Sequence, residues 1–369
     1  MSEFHPGLEG VVAVETEIAE PDREGGALRY RGIDIEELAG ALPFERVWGI
    51  LVDGSPQPGL TQAPAVTLAA PTGDVLADLQ GATAALGGRW GLGKLIDISD
   101  VEARDDLARV SAAMVSLTAQ AARAAEGLPA LEVAGAARGT TLAERLLLEW
   151  RGAADPRAVR AIDAYWTCTA EHGLNASTFT ARIVASTGAD CAACLSAAAG
   201  ALSGPLHGGA PARVLPMLDA ATAAPSVAGY VEDALDRGER LMGFGHRVYR
   251  AEDPRARLLR RTAREIGAPR YEAAVALEDV ALAALRRRKP DRVLATNVEF
   301  WSAIVLDAAG VPPGVAPALF ACSRTAGWSA HVLEQKRTGR LIRPSARYIG
   351  PGPRPLSAVE EGALAASAG

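Results

Sequence analysis

Three of the chain's five histidines stand in glycine-flanked segments: His172 in AEHGLNASTF, His207 in SGPLHGGAP and His246 in MGFGHRVYRAEDPRAR. An imidazole at a helix break can donate or accept a proton near neutral pH, and glycine beside it lets backbone approach a ligand closely. One such histidine reads most simply as a hydrogen-bonded turn residue. Three in one chain point to a site. Arg255 is a second anomaly. Asp253-Pro254 is a strong helix start, so Arg255 falls in a first turn, where the positive end of the helix dipole disfavours a cation. Either a local pair with Asp253 or Glu252 compensates it, or the carboxylate of a ligand does.

A metal is the competing use for such a set. Metal-binding histidines usually come at short spacings such as HxxxH, whereas His172, His207 and His246 are separated by 35 and 39 residues. That spacing weakens the metal reading, and none is expected. Cys191 and Cys194 form a CxxC without a second pair, inside an Ala-rich helical run, so small core packing is expected of them. GxGxxG after a strand, GxxxxGK[ST] and GxSxG are all absent, which leaves dinucleotide folds, P-loops and nucleophile elbows without support.

Helices must position these residues. Asp106 to Glu126 places Leu107, Val110, Met114 and Leu117 at spacings of three and four, lining one helical face. Further helices are expected from Asp155-Pro156 to near Gly173, through Phe179 and Ile183, and from Asp190 to Gly200. The best strand signal is at the amino end, where VVAVETEI and ALRYRGI flank a polar link and predict a hairpin. Ser55 to Asp74 and the tail from Pro344 lack a clear pattern. The fold class is therefore all-α with a small amino-terminal β-hairpin. A length of 369 residues favours two domains, with Gly204-Pro205 and Gly310 to Pro317 as the best breaks.

Composition excludes several classes. A formal charge of −6 and a pI near 5.6 argue against a nucleic-acid binder. Arg286, Arg287, Arg288 and Lys289 sit at an expected helix end, where cations favour the dipole, and read as solvated. No run approaches the roughly 18 apolar residues of a membrane span. MSEFHPGLEG has neither a basic leader nor an apolar stretch, so a cytoplasmic protein is expected.

Six blocks, in order, carry a resemblance: GLEGVVAVETEI with LRYRGIDIEEL, EHGLNASTFTARIVAST, GALSGPLHGGAP, LMGFGHRVYRAEDPRA, TNVEFWSAIVL, and SRTAGWSAHVLEQ with LIRPSA. The chain resembles citrate synthases of the shorter bacterial and archaeal type, with about 55 to 150 matching only weakly. The resemblance implies a large helical domain from 1–208 plus 311–369 and a small one from 209–310. It also implies a homodimer with shared sites, condensing acetyl-CoA with oxaloacetate without a cofactor, CoA thioester being a substrate. A 2-methylcitrate synthase using propionyl-CoA, or a non-catalytic CoA-binding paralogue, are the alternatives.

Residue by residue, the resemblance gives His207 the thioester oxygen and His246 the oxaloacetate ketone and the new alkoxide. His172 contacts oxaloacetate, and Arg255, Arg324 and Arg343 bind its carboxylates, the last reaching across from the partner subunit. CoA lies against the backbone of Leu241, Met242, Gly243, Phe244 and Gly245, with phosphates near Arg250. One position departs from the family pattern. Where it has Asn-Val-Asp, this chain has Asn297-Val298-Glu299, so the implied base is Glu299.

Overall fold

The computed structural model describes residues 4–22, 24, 26–60, 66–131, 141–205, 207, 213–245, 252–292 and 294–356. A small antiparallel sheet comes first, with strands β1 (Ala19–Asp22), β2 (Ala27–Tyr30) and β3 (Ile33–Asp34) in that spatial order. Ala19 faces Tyr30 and Arg29 faces Asp34. The amino-terminal hairpin is present and ALRYRGI supplies its second strand, but the first strand follows VVAVETEI instead of lying in it: residues 11–18 precede the sheet, and Val12 is 85% exposed. Of this segment only Ile18 is buried, whereas β2 turns both Leu28 and Tyr30 fully into the core. Alternation with burial, not β-branched content, decides which segment pairs.

Fourteen α-helices follow among the described residues. The first half holds α1 (Ile35–Leu38), α2 (Phe44–Asp53), α3 (Val75–Trp90), α4 (Asp100–Ala125), α5 (Leu142–Arg151), α6 (Pro156–Thr169), α7 (Ala176–Ser186) and α8 (Cys191–Leu202). The second holds α9 (Val214–Ala223), α10 (Val227–Asp236), α11 (Pro254–Glu265), α12 (Tyr271–Arg288), α13 (Val298–Ala308) and α14 (Ala316–Thr338). The periodic segments are all helical, and boundaries move where caps dictate. A capping box, Ser99 with Glu102, starts α4 ahead of Asp106. Helix α6 ends at Thr169, so 170–175 form a loop that carries His172. Pro317 lies inside α14, in the first turn, where its missing N–H is tolerated.

Helix α14 organises the first half. It packs on α2, α4, α6, α7 and α8 and buries residues around its whole circumference, among them Arg324, Trp328 and His331. Helices α9 to α13 pack on one another, and α11 and α13 also meet α6. Cys191 and Cys194 are buried in the core, as expected. No helix among the described residues is long and apolar enough to cross a membrane.

Candidate active site

Two helix starts meet at the site. Asp253 caps α11 by accepting from the Arg255 backbone N–H at 3.0 Å, and its other oxygen accepts from Val298 N at 3.1 Å, at the start of α13. The same carboxylate holds the buried Arg255 guanidinium through Nε at 2.9 Å and Nη2 at 2.8 Å. The local pair weighed for Arg255 is therefore present, and it compensates the cation that the helix dipole disfavours.

Asn297 caps α13, its Oδ1 accepting from Glu299 N at 3.0 Å. Its backbone N–H donates to Gly243 O at 2.9 Å and its Nδ2 donates to Gly245 O at 3.0 Å. Leu241 to Gly245 is thus laced onto the entrance of α13, with Phe244 against Phe300 at 5.4 Å between ring centroids. Gly243 has φ +85°, and a Cβ there would stand 2.6 Å from that of Phe300. That close approach explains the glycine.

Glu299, half-buried, receives no hydrogen bond on its carboxylate from a described residue. Burial raises its pKa above the ordinary glutamate value, and the charges of Arg255 and Arg240 pull it back in part. A carboxylate so placed is a usable base.

His207 approaches from the turn after α8. Its Nε2 is 2.8 Å from Ser177 Oγ, and its ring meets Phe320 edge-on at 6.1 Å. Burial, with Arg324 adding to it, pushes its pKa down to about 4, so the ring is neutral at physiological pH. Ser177 Oγ accepts from the Trp328 indole at 3.2 Å and donates to Asn175 Oδ1 at 2.9 Å, so its proton reaches His207 Nε2 only when the hydroxyl turns from Asn175. In that arrangement Nδ1 is the protonated, donating nitrogen of the ring.

Arg324 differs from Arg255. It is 3% exposed, stacks over Phe320 at 4.8 Å, and its Nε and Nη1 have no hydrogen-bond partner among the described residues. Burial lowers its pKa, opposed by the nearby Glu171, and Arg255 is close enough to add repulsion. A buried cation with unpaired donors is costly unless an anion comes to it.

The structure brings together His207, Arg324, Arg255 and Glu299 with the Leu241, Met242, Gly243, Phe244 and Gly245 segment. His172 is half-buried in the loop beside Glu171. Arg343 does not join them: it is exposed, in the extended segment after α14, with no hydrogen bond or ion pair to a described residue. His246 and Arg250 lie outside the described residues.

The sequence reading missed a basic cavity. A cleft of about 680 Å³ beside Phe244 and Gly245 is walled by Arg240, Arg288, Lys289 and Arg292. Arg288 is paired with Glu232 and Asp236, in keeping with a solvated helix end, but Arg240, Lys289 and Arg292 have no ion pair to a described residue. The signal available was Arg240 directly before the glycine-rich segment.

Comparison with known proteins identifies the family and the fold. The family model for the citrate synthase C-terminal domain matches residues 7–345. A Mycobacterium tuberculosis protein provisionally named citrate synthase 2 is 58% identical over 97% of this chain and 96% of its own length. The citrate synthase of Haloferax volcanii is 35% identical over 97% and 99% of the two chains. Among solved structures, Thermoplasma acidophilum citrate synthase, in ternary complex with carboxymethyl coenzyme A and oxaloacetate, superposes with a TM-score of 0.82. It shares 28% identity and covers 97% of this chain and 100% of that one. With the matched model spanning nearly the whole chain and the helical fold shared, the protein is an enzyme that belongs to the citrate synthase family.

Proposed function

We propose that the protein condenses acetyl-CoA with oxaloacetate and hydrolyses the resulting thioester, giving citrate and free CoA. Glu299 takes a proton from the acetyl methyl, and His207 Nδ1–H donates to the thioester oxygen as negative charge develops there. A neutral donor suits this step, because an imidazolium would return its proton to the enolate. The enol carbon attacks the ketone of oxaloacetate, whose oxygen becomes an alkoxide that His246 protonates. Water then cleaves the thioester. Arg324 supplies an unspent guanidinium for one substrate carboxylate, Arg255 stands beside it in the plane fixed by Asp253, His172 adds a contact, and Arg343 of a second subunit completes the set. CoA lies along Leu241 to Gly245, its phosphates facing Arg240, Lys289, Arg292 and Arg250.

The observation that carries this reading is the buried Arg324 with two unpartnered N–H groups beside a neutral His207 and the half-buried Glu299. Extended, exposed residues after α14, ending in Tyr348 at 77% and Ile349 at 90% exposure, support a homodimer in which this arm lies on the partner. Release of free CoA from acetyl-CoA, compared with propionyl-CoA, in the presence of oxaloacetate tests it. Faster release from acetyl-CoA is expected. Preference for propionyl-CoA would make the product 2-methylcitrate, and no release from either would refute the reading.

A further inference from the structure

Behind the proposed carboxylate site lies a chain of buried polar side chains with no part in the chemistry above. Arg182, 1% exposed on α7, places Nη1 2.7 Å from His331 Nδ1 and 2.6 Å from Glu334 Oε2, with Nε donating to Gln335 Oε1 at 3.2 Å. A guanidinium only donates, so His331 Nδ1 accepts and the ring carries its proton on Nε2. That nitrogen points to Glu171 Oε1 at 3.4 Å, a contact between charges and dipoles not aligned as a hydrogen bond. Glu171 is fully buried, and neither of its oxygens has a hydrogen-bond partner.

Glu171 is pressed onto α14. The Gly327 N–H donates to Ala170 O at 3.2 Å, and a Cβ on Gly327 would lie 1.9 Å from Glu171 Oε2. Arg324 is one helical turn before Gly327 and His331 one turn after, so the carboxylate faces α14 between a guanidinium and an imidazole N–H. The Glu171 backbone is fixed as well, its carbonyl accepting from Tyr30 Oη at 3.3 Å. Both neighbours of this carboxylate are donors. Neither is hydrogen-bonded to it, but its charge acts on both, and an amide of the same shape would remove that charge and turn an NH₂ toward one of them.

We propose that Glu171 is a positioning residue: pressed against α14 between Arg324 and His331, its carboxylate steers the Arg324 guanidinium electrostatically and keeps the adjoining His172 loop in place for the substrate. It sets affinity for the 2-oxo acid, not the rate of the chemical step. The inference rests on the proposed function, since it takes oxaloacetate as the ligand of Arg324.

Calorimetric titration of oxaloacetate without any CoA ligand, followed by kcat and KM from CoA release, tests it. Glu171→Gln is expected to weaken oxaloacetate binding and raise its KM by at least about tenfold, with kcat within about threefold of the parent. Removing one negative charge would by itself tighten binding of a dianion. Equal or tighter binding by Glu171→Gln therefore overturns the proposal, as does a loss confined to kcat. His331→Gln, whose amide can put an N–H where Nε2–H stands, should bind oxaloacetate better than His331→Phe, and the reverse order would also overturn it. The His331 pair decides the matter should Glu171→Gln fail to fold. A parent enzyme that does not bind oxaloacetate at all would instead refute the functional reading.

Discussion

Glu299 is one carbon longer than the aspartate of the family pattern, a reach of about 1.5 Å. A misplacement of about 1 Å can cost on the order of 100-fold in rate. The entrance of α13 is fixed by Asn297 and Asp253, so the carboxylate's position is set by a rigid helix start. Glu299→Gln is expected to lose nearly all condensation while keeping oxaloacetate binding, and parental activity in that variant would rule Glu299 out as the base. Because burial raises its pKa, the acid limb of kcat/KM should lie above the ordinary glutamate value of about 4.3. The base must be ionised, so activity rises with pH through that limb. His207 titrates at about 4 and leaves no second limb near neutrality. The two arginines should also differ. Arg255 spends Nε and Nη2 on Asp253, whereas Arg324 keeps Nε and Nη1 unpartnered, so Arg324→Lys should raise the oxaloacetate KM more than Arg255→Lys does. Steady-state kinetics on the two variants reads the order directly.

Helices in this protein are capped from outside as well as from within. Asp163 on α6 accepts from the Phe44 N–H at 2.8 Å, at the first residue of α2, whose own N-cap position is Pro43 and offers no side-chain acceptor. Burial raises its pKa to about 7, with the neighbouring Glu45 adding to the rise. A carboxyl raised on folding gives stability that is present below its unfolded pKa and lost as pH rises through the folded value. Asp163→Asn keeps the carbonyl acceptor and removes the ionisation. The thermal midpoint of the parent should therefore fall relative to the Asn variant between about pH 4 and 7 and level off above that. Parallel curves for the two proteins across that range would show that Asp163 does not titrate there.

The whole molecule, in the proposed assembly, shares its sites across a two-fold axis. Arg343 is exposed in the segment after α14, while Arg324, Arg255 and Glu299 are gathered inside the subunit. A mixed dimer of one Arg343→Ala and one His246→Ala subunit should keep about half the parental activity, because both lesions fall in one site and the other is intact. Either homodimer should be inactive. Purified heterodimers as inactive as the homodimers would place Arg343 in its own subunit's site or in none.

Much of this was legible in the residues. Helical periodicity and caps located α4, α6, α7, α8 and α11, since a buried helical face and its N-cap are local properties of sequence. Ordered blocks around His172, His207, Asn297 and Arg324 identified the family. The first amino-terminal strand was misplaced because VVAVETEI is apolar but buries only Ile18, and pairing depends on where the core lies. Arg255 left two readings open, and only the folded chain shows Asp253 gripping it while Arg324 stays unpartnered. The basic wall of Arg240, Lys289 and Arg292, and the line from Arg182 through His331 to Glu171, join residues tens to hundreds of positions apart. Sequence fixes what each side chain can donate or accept. Tertiary packing decides which partners reach it and which are withheld, and in a desolvated site that choice sets the chemistry.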